Sequence, residues 1–203
     1  MKLKIVTTIF FILFFCSCNQ KFEKISEANA ENEALLKKIQ PNKKVEYWQL
    51  EYFPNHKTEE LDFEVLFSKG NSANKPISEN EFDLRGFFPG CHPSLCAYRI
   101  TYLESGKWKV VKSENELKRF IDKIDNVYEA FLIGLINDYQ IDNSSGKGNG
   151  FLKQKDGFKL NMMKYESCPE SKESFTFFVN KNGVIQNLES NGFYLKAKDC
   201  IVY

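Results

Sequence analysis

Residues 113–138 read SENELKRFIDKIDNVYEAFLIGLIND, and this stretch decides the fold class. Ser113-Glu114-Asn115-Glu116 has the form of a capping box. In that arrangement the serine hydroxyl satisfies one free backbone N–H at a helix start and the glutamate carboxylate satisfies another. Leu117, Phe120, Ile121 and Ile124 follow at helical spacing. Asp125-Asn126 interrupts the pattern, and Asn126 with Glu129 predicts the cap of a second helix over 127–139. The apolar residues Ala130, Phe131, Ile133, Leu135 and Ile136 cover most of that helix's circumference. It is therefore expected to be the most buried helix of the chain.

Downstream of the helices the pattern changes. Asn143 to Gly150 is rich in Asn, Ser and Gly and reads as a loop. Strands are predicted at Phe151–Lys155, Phe158–Tyr165, Ser174–Asn180, Val184–Glu189 and Phe193–Val202. Asp156-Gly157 and Asn182-Gly183 are hairpin turns in which glycine supplies positive φ. Residues 166–172 are predicted to be a loop.

Upstream, Val45–Phe53 and Leu61–Phe67 are rich in β-branched and aromatic residues and predict strands. Pro54-Asn55-His56-Lys57 is a turn or loop, Ser68 to Asn80 a long surface loop, and Arg85 to Pro93 an irregular stretch. Ala97–Leu103 and Lys107–Val111 form a hairpin about Glu104-Ser105-Gly106. Strands, two consecutive helices and then a meander make an α+β fold: a mostly antiparallel sheet with both helices packed on it.

The chain has 203 residues, 42% of them hydrophobic and 27% charged, with 19 phenylalanines. That composition supports a core within one domain, predicted over 44–203. Ahead of it, 21–40 carries a partial apolar stripe of Ala28, Ala30, Leu35, Leu36 and Ile39 among many charged residues, closed by Pro41. Its expected role, within a segment 18–43, is a tether or helix acting as a solvated spacer.

The first residues look like an export signal. MKLK is a short positive opening, and Ile5 to Phe15 is an apolar run shorter than the ~20 residues a spanning helix needs. That order suits a signal peptide over 1–17. Phe15-Cys16-Ser17-Cys18 resembles a lipobox. The resemblance implies cleavage before Cys18, a diacylglyceryl thioether on Cys18 and acylation of the new N-terminus. Two or more acyl chains anchor a protein stably to a membrane. The expected location is the outer membrane, on its periplasmic or cell-surface face. Lys21 and Glu23 loosely resemble the surface-export signal of Bacteroidota lipoproteins, although Phe22 interrupts the acidic pair which that signal prefers.

Apart from Cys16 and Cys18, the cysteines are Cys91, Cys96, Cys168 and Cys200. An even number in an exported chain suggests two disulfides. Three connectivities are open, and Cys91–Cys96 with Cys168–Cys200 is the preferred one. A redox site at Cys91 and Cys96 would want two intervening residues at a helix start, and zinc would need four ligands where only His92 is near.

His56 and His92 are the only histidines. Neither lies in a nucleophile or metalloprotease motif, and ordinary surface placement is preferred over general-base chemistry. Asp122, Asp125, Asp138 and Asp142 lack calcium-loop spacing and read as caps and solvated acids. Gly146, Gly148 and Gly150 imitate a phosphate loop without the lysine and hydroxyl that follow one. Tyr47, Trp48, Tyr52, Phe53, Phe87 and Phe88 could line a groove for a glycan or peptide, but core packing is the preferred reading. No cofactor or metal is expected. The formal charge of +1 argues against nucleic acid as a partner.

GCHPSLC (90–96), ELKRFIDKIDNVYEAFLIGLINDYQID (116–142), KYESCP (164–169) and KDCIVY (198–203) together resemble small uncharacterised lipoproteins of the Bacteroidota. The resemblance spans about half the chain and implies no activity. The leading expectation is a lipid-anchored, non-enzymatic binding or accessory protein of the envelope, with a protein or glycan ligand. The alternatives are an envelope hydrolase whose catalytic residues the sequence does not name, and an immunity or inhibitor lipoprotein.

Overall fold

The alternation of Val45–Phe53 makes β1 the centre of a first sheet. One face of β1 carries Trp48 and Leu50 into the core, and the other carries Tyr47, Gln49, Glu51 and Phe53. The computed structural model describes residues 21–41, 44–54, 63–71, 86–91 and 96–200. Within these, β1 pairs antiparallel with β2 (Glu64–Gly70) and with β4 (Cys96–Glu104). β4 also pairs antiparallel with β3 (Phe87–Gly90) and β5 (Lys107–Val111). The stretch expected to be irregular thus holds a short strand. Phe88 inside it and Cys91 just beyond it lie at positive φ, 52° and 58°, which hides the strand from pattern reading. Ser68 to Gly70, expected as loop, extends β2; residues 55–62 and 72–80, with the expected loops there, lie outside the described residues.

The second sheet is an antiparallel meander, ordered β6 (Gly150–Gln154), β7 (Gly157–Ser167), β8 (Glu170–Asn180) and β9 (Ile185–Lys196). The chain therefore folds into two antiparallel sheets rather than the single sheet expected. Both contribute to one hydrophobic cluster, Trp48, Leu50 and Ile100 from the first, Leu160, Met162, Phe177 and Val179 from the second.

Two local expectations in this meander are corrected. Residues 166–172 are not an open loop: Ser167 pairs with Glu170, so Cys168-Pro169 forms a two-residue turn. The two predicted terminal strands are one strand, β9. Asn187 (φ 51°) and Gly192 (φ 83°) take left-handed conformations where the register with β8 shifts. A left-handed residue inside a ladder makes a bulge, which keeps the strand going where a turn would end it.

Between the sheet-forming segments lie α3 (Glu114–Ile121) and α4 (Val127–Ile136). Ser113 Oγ accepts from Glu116 N–H, and Asn126 Oδ1 accepts from Glu129 N–H at 3.0 Å, with Glu129 returning the bond to the Asn126 backbone. Ala130, Phe131, Leu132, Ile133 and Gly134 of α4 are all buried. A Cβ at Gly134 would collide with Met162 of β7, so the glycine lets helix and strand approach closely.

The expected spacer is also corrected. Ile25, Ala30, Leu35, Leu36 and Ile39 are buried in the common core. They sit on and beside α1 (Glu27–Ala30) and α2 (Asn32–Leu36), and α2 packs against α4. The body therefore takes in residues 22–41, ahead of the expected boundary at 44. Glu31 is extended (ψ 143°) between the two short helices. That kink turns apolar groups inward that would lie on different sides of one continuous helix, so helical periodicity understates their burial. No helix among the described residues is long and apolar enough to cross a membrane.

Candidate ligand-binding cleft

The loop after α4 folds back on itself: Asp142 N–H donates to Gly148 O at 2.9 Å and Ser145 N–H to Asp142 O at 3.2 Å. This turns the Asp142 side chain inward, where it is 4% exposed. Its Oδ1 accepts from Ser144 N–H (3.0 Å) and Ser144 Oγ (2.5 Å). Its Oδ2 accepts from Lys172 Nζ (3.2 Å) and Tyr194 Oη (2.8 Å). Burial pushes the Asp142 carboxyl up, but its donors outweigh burial and hold it below the ordinary range. Burial and then donation to Asp142 push the Tyr194 hydroxyl up. A Cβ at Gly148 would lie 2.8 Å from Asp142 Cβ and 3.0 Å from Tyr194 Oη. The glycines here pack the loop against the sheet and cradle no phosphate.

Asn149 ties the same loop to the start of the body. Ile25 N–H donates to Asn149 Oδ1 at 3.2 Å, and Asn149 Nδ2 donates to Ile25 O at 3.1 Å. Glu23 and Phe151 exchange backbone hydrogen bonds of 2.9 and 2.7 Å. Phe22 is thereby held over Gly150 at the rim of a cleft of about 400 Å³ on the β7–β9 sheet.

The polar floor of the cleft has a determined proton order. Ser174 Oγ donates to Lys147 O at 2.6 Å; a carbonyl only accepts, so the serine's single proton is committed. Ser174 must then accept from Asn191 Nδ2 (3.0 Å), which fixes the orientation of that amide. The same Nδ2 donates to Thr176 Oγ1 (2.9 Å), and the threonine passes its own proton to Asn161 Oδ1 at 2.6 Å. Two groups are left over, the Asn191 Oδ1 acceptor and the Asn161 Nδ2 donor. Neither has a partner among the described residues. Phe22 and Tyr194 line the cleft with them, while Phe193, 52% exposed, pairs with Glu173 on the other face of the sheet. Lys147 Nζ lies 5.7 Å from the Tyr194 ring centre, and Lys196 Nζ lies 4.5 Å from that of Phe193.

The arrangement presents hydrogen-bonding groups and aromatic faces. Asp142 is committed on both oxygens, so it positions Tyr194 and Lys172 and keeps no free lone-pair direction for a substrate. A second concavity of about 500 Å³ lies among β4, β5 and α3, but its charges are paired locally: Lys109 with Glu104 within the hairpin, and Arg119 with Glu116 at 3.9 Å along α3. A third polar group, on the outer face of the first sheet, is likewise paired. Arg99 Nε donates to Glu51 Oε2 at 2.7 Å and Gln49 Nε2 to Glu51 Oε1 at 2.6 Å.

The residues singled out from the sequence fall elsewhere. Cys18, His56 and His92 lie outside the described residues. Cys91 and Cys96 stand at disulfide distance, with Cα atoms 5.3 Å apart, as do Cys168 and Cys200, with Cα atoms 4.9 Å apart. None of the four lines the cleft. Trp48 and Phe87 are core, while Tyr47 and Phe53 are buried on the opposite face of β1, so the six aromatics form no single groove. Asp142, read as a solvated acid, is buried because Lys172 and Tyr194 from distant strands converge on it beside Ser144 of its own loop. Among the described residues no group of three or more His, Cys, Asp or Glu is placed to hold a metal ion. Asn161, Ser174, Thr176 and Asn191 were not anticipated. Their one signal is the alternation Ser174-Phe175-Thr176-Phe177, small hydroxyls on the face opposite the core.

No protein-family model, curated protein or solved structure matches the chain.

Proposed function

We propose that this chain is a lipid-anchored envelope protein, acylated at Cys18 after removal of residues 1–17, whose folded body is a non-enzymatic binding module. The observation that carries the binding reading is the floor of the cleft. A carbonyl-anchored chain of hydroxyls and amides leaves one donor and one acceptor on residues that line the cleft, together with Phe22 and Tyr194. Such preset polar groups with apolar walls are what a small ligand site requires. Asp142, the carboxylate that holds Tyr194, is saturated with donors and so takes no part in acid–base chemistry.

The proposed anchor is close in sequence to one rim residue of the cleft. Three residues separate Cys18 from Phe22 at the rim, and the four steps between them span at most about 14 Å of extended backbone. The cleft would therefore work close to the membrane surface, on the periplasmic or external face of the outer membrane. Metabolic labelling with a fatty-acid probe tests the anchoring. The native chain should be labelled and sediment with membranes, and Cys18→Ala should lose both properties. Continued labelling of Cys18→Ala would reject the assignment.

A further inference from the structure

We infer that the body stands end-on to the membrane and binds acidic phospholipid headgroups through Lys153, Lys155 and Lys159 around the β6–β7 turn; this rests on acylation of Cys18. The path of the chain points to that end. Ile25 exchanges hydrogen bonds with the Asn149 side chain, and Glu23 exchanges them with the Phe151 backbone. Followed back from Ile25 to Glu23, the chain thus advances antiparallel along β6, toward Lys153 and Lys155. Lys155 lies four steps beyond Phe151, about 13 Å of strand. Cys18 lies at most about 14 Å of extended chain from Phe22. The reach of the anchor therefore takes in the β6–β7 turn.

Charge points to the same end. From Lys147 to Lys164 the chain holds five lysines and one acid, Asp156, a net charge of +4 where the whole chain carries +1. Lys147 and Lys164 rest on the rings of Tyr194 and Tyr139. Lys153, Lys155 and Lys159 have no ion-pair partner among the described residues. The register sets Lys153 beside Phe158 and Lys159 beside Leu152, so these two lysines leave opposite faces of the hairpin, with Lys155 at its turn. They ring its tip rather than line one face.

The acids nearby are matched. Asp156 lies 3.9 Å from Lys181, whose backbone N–H donates to the Asp156 carbonyl at 3.0 Å. The link between α3 and α4 reaches the same end, where Ile124 N–H donates to Lys181 O at 2.9 Å, and its Asp122 and Asp125 are offset by Lys118 and Lys123. On the anchor segment Lys21 offsets Glu23. The three hairpin lysines are the surplus, and Val184, 46% exposed on the turn between β8 and β9, adds an apolar group beside them. A basic patch beside an acyl anchor adds to its hold on an acidic membrane. The end-on stance leaves the cleft, on one face of the sheet, open to the side.

The acylated protein, purified in detergent, can be inserted into vesicles of phosphatidylcholine alone or mixed equally with phosphatidylglycerol. Its lysines are then mapped by mass after reaction with a membrane-impermeant acetylating ester. On the acidic vesicles Lys153, Lys155 and Lys159 should react severalfold more slowly than in detergent, while Lys69 and Lys107 of the first sheet react as before. The slowing should be smaller on phosphatidylcholine, and high salt should remove the difference. In the Lys153→Gln/Lys155→Gln variant, altered at two exposed positions, Lys159 should lose most of its slowing. No slowing, equal slowing on both vesicles, slowing at Lys69 and Lys107 instead, or a variant that keeps the native slowing at Lys159 would overturn the proposal. The same map weighs the N-terminal peptide. An acyl-free Cys18 fails the anchoring reading, whereas an acylated Cys18 with unprotected lysines fails the end-on docking alone.

Discussion

The side chain of Asn149 pairs with the backbone of Ile25 as a neighbouring strand would, giving one hydrogen bond and receiving one, 3.1 and 3.2 Å long, across 124 positions of sequence. Both groups are buried. Asn149→Ala should therefore leave an unpaired buried N–H and C=O on Ile25, and lower the unfolding free energy by about 2–3 kcal/mol. Hydrogen exchange should show faster exchange over residues 22–36 than over β7 and β8. A variant with native exchange there would show that the core contacts of Leu35 and Leu36 suffice to hold the segment.

Glu129 fastens the same segment from the other side. Its carboxylate accepts from Gln40 N–H at 2.7 Å, Asp125 N–H at 2.8 Å and Asn126 N–H at 3.2 Å, and the residue is fully buried. Burial raises its carboxyl above the ordinary 4.5, and the three N–H groups only partly offset that. A raised folded-state value means that the folded protein holds the proton more tightly than the unfolded chain. Stability from this group is full below the unfolded value and is lost as pH rises through the folded one. Denaturant midpoints of Glu129→Gln, measured from pH 4 upward, should fall less with rising pH than those of the native protein. Parallel profiles would contradict the assignment.

Asp142 titrates in the opposite sense. Its folded-state value is lowered from 3.8, so its stabilisation is present above that value and is lost as pH falls through the depressed one. Asp142→Asn should flatten the acid limb of the stability profile. It should also loosen Tyr194, whose hydroxyl then donates to a neutral oxygen. Tyrosine fluorescence quenching reports the second effect, and an unchanged acid limb would show that other carboxylates govern acid unfolding.

Cys168 in the β7–β8 turn and Cys200 after β9 stand at disulfide distance, 32 positions apart. Replacing both by Ser should lower the unfolding free energy by about 2–4 kcal/mol, chiefly by freeing the unfolded chain. Far-ultraviolet dichroism should stay native. Peptide mapping of the non-reduced protein gives the connectivity. Cys168 joined to Cys91 or Cys96 would overturn the pairing.

The helices were legible because their signals are local. Ser113 with Glu116, and Asn126 with Glu129, each lie within one turn, and a cap needs nothing from the rest of the chain. The strands around Asn182-Gly183 and Ser105-Gly106 were legible for the same reason. The bulges in β9 were not, since Asn191-Gly192 is equally good turn chemistry and only the continuing ladder of β8 favours a bulge. The burial of residues 22–41 was hidden because its cause is remote: α4 supplies the apolar partner, and Glu129 and Asn149 the polar ones.

What the sequence by itself determined is the α+β class, most strand positions and the two capped helices. All of these follow from periodicity, capping and turn chemistry within about ten residues. Only the tertiary structure decided that there are two sheets, that the supposed spacer belongs to the core, and that a polar cleft exists at all. Lys147, Asn161, Ser174, Thr176 and Asn191 come from a loop and three strands, and each alone is an unremarkable polar residue. Their proton order exists only because the fold brings a carbonyl that cannot donate next to a hydroxyl that must.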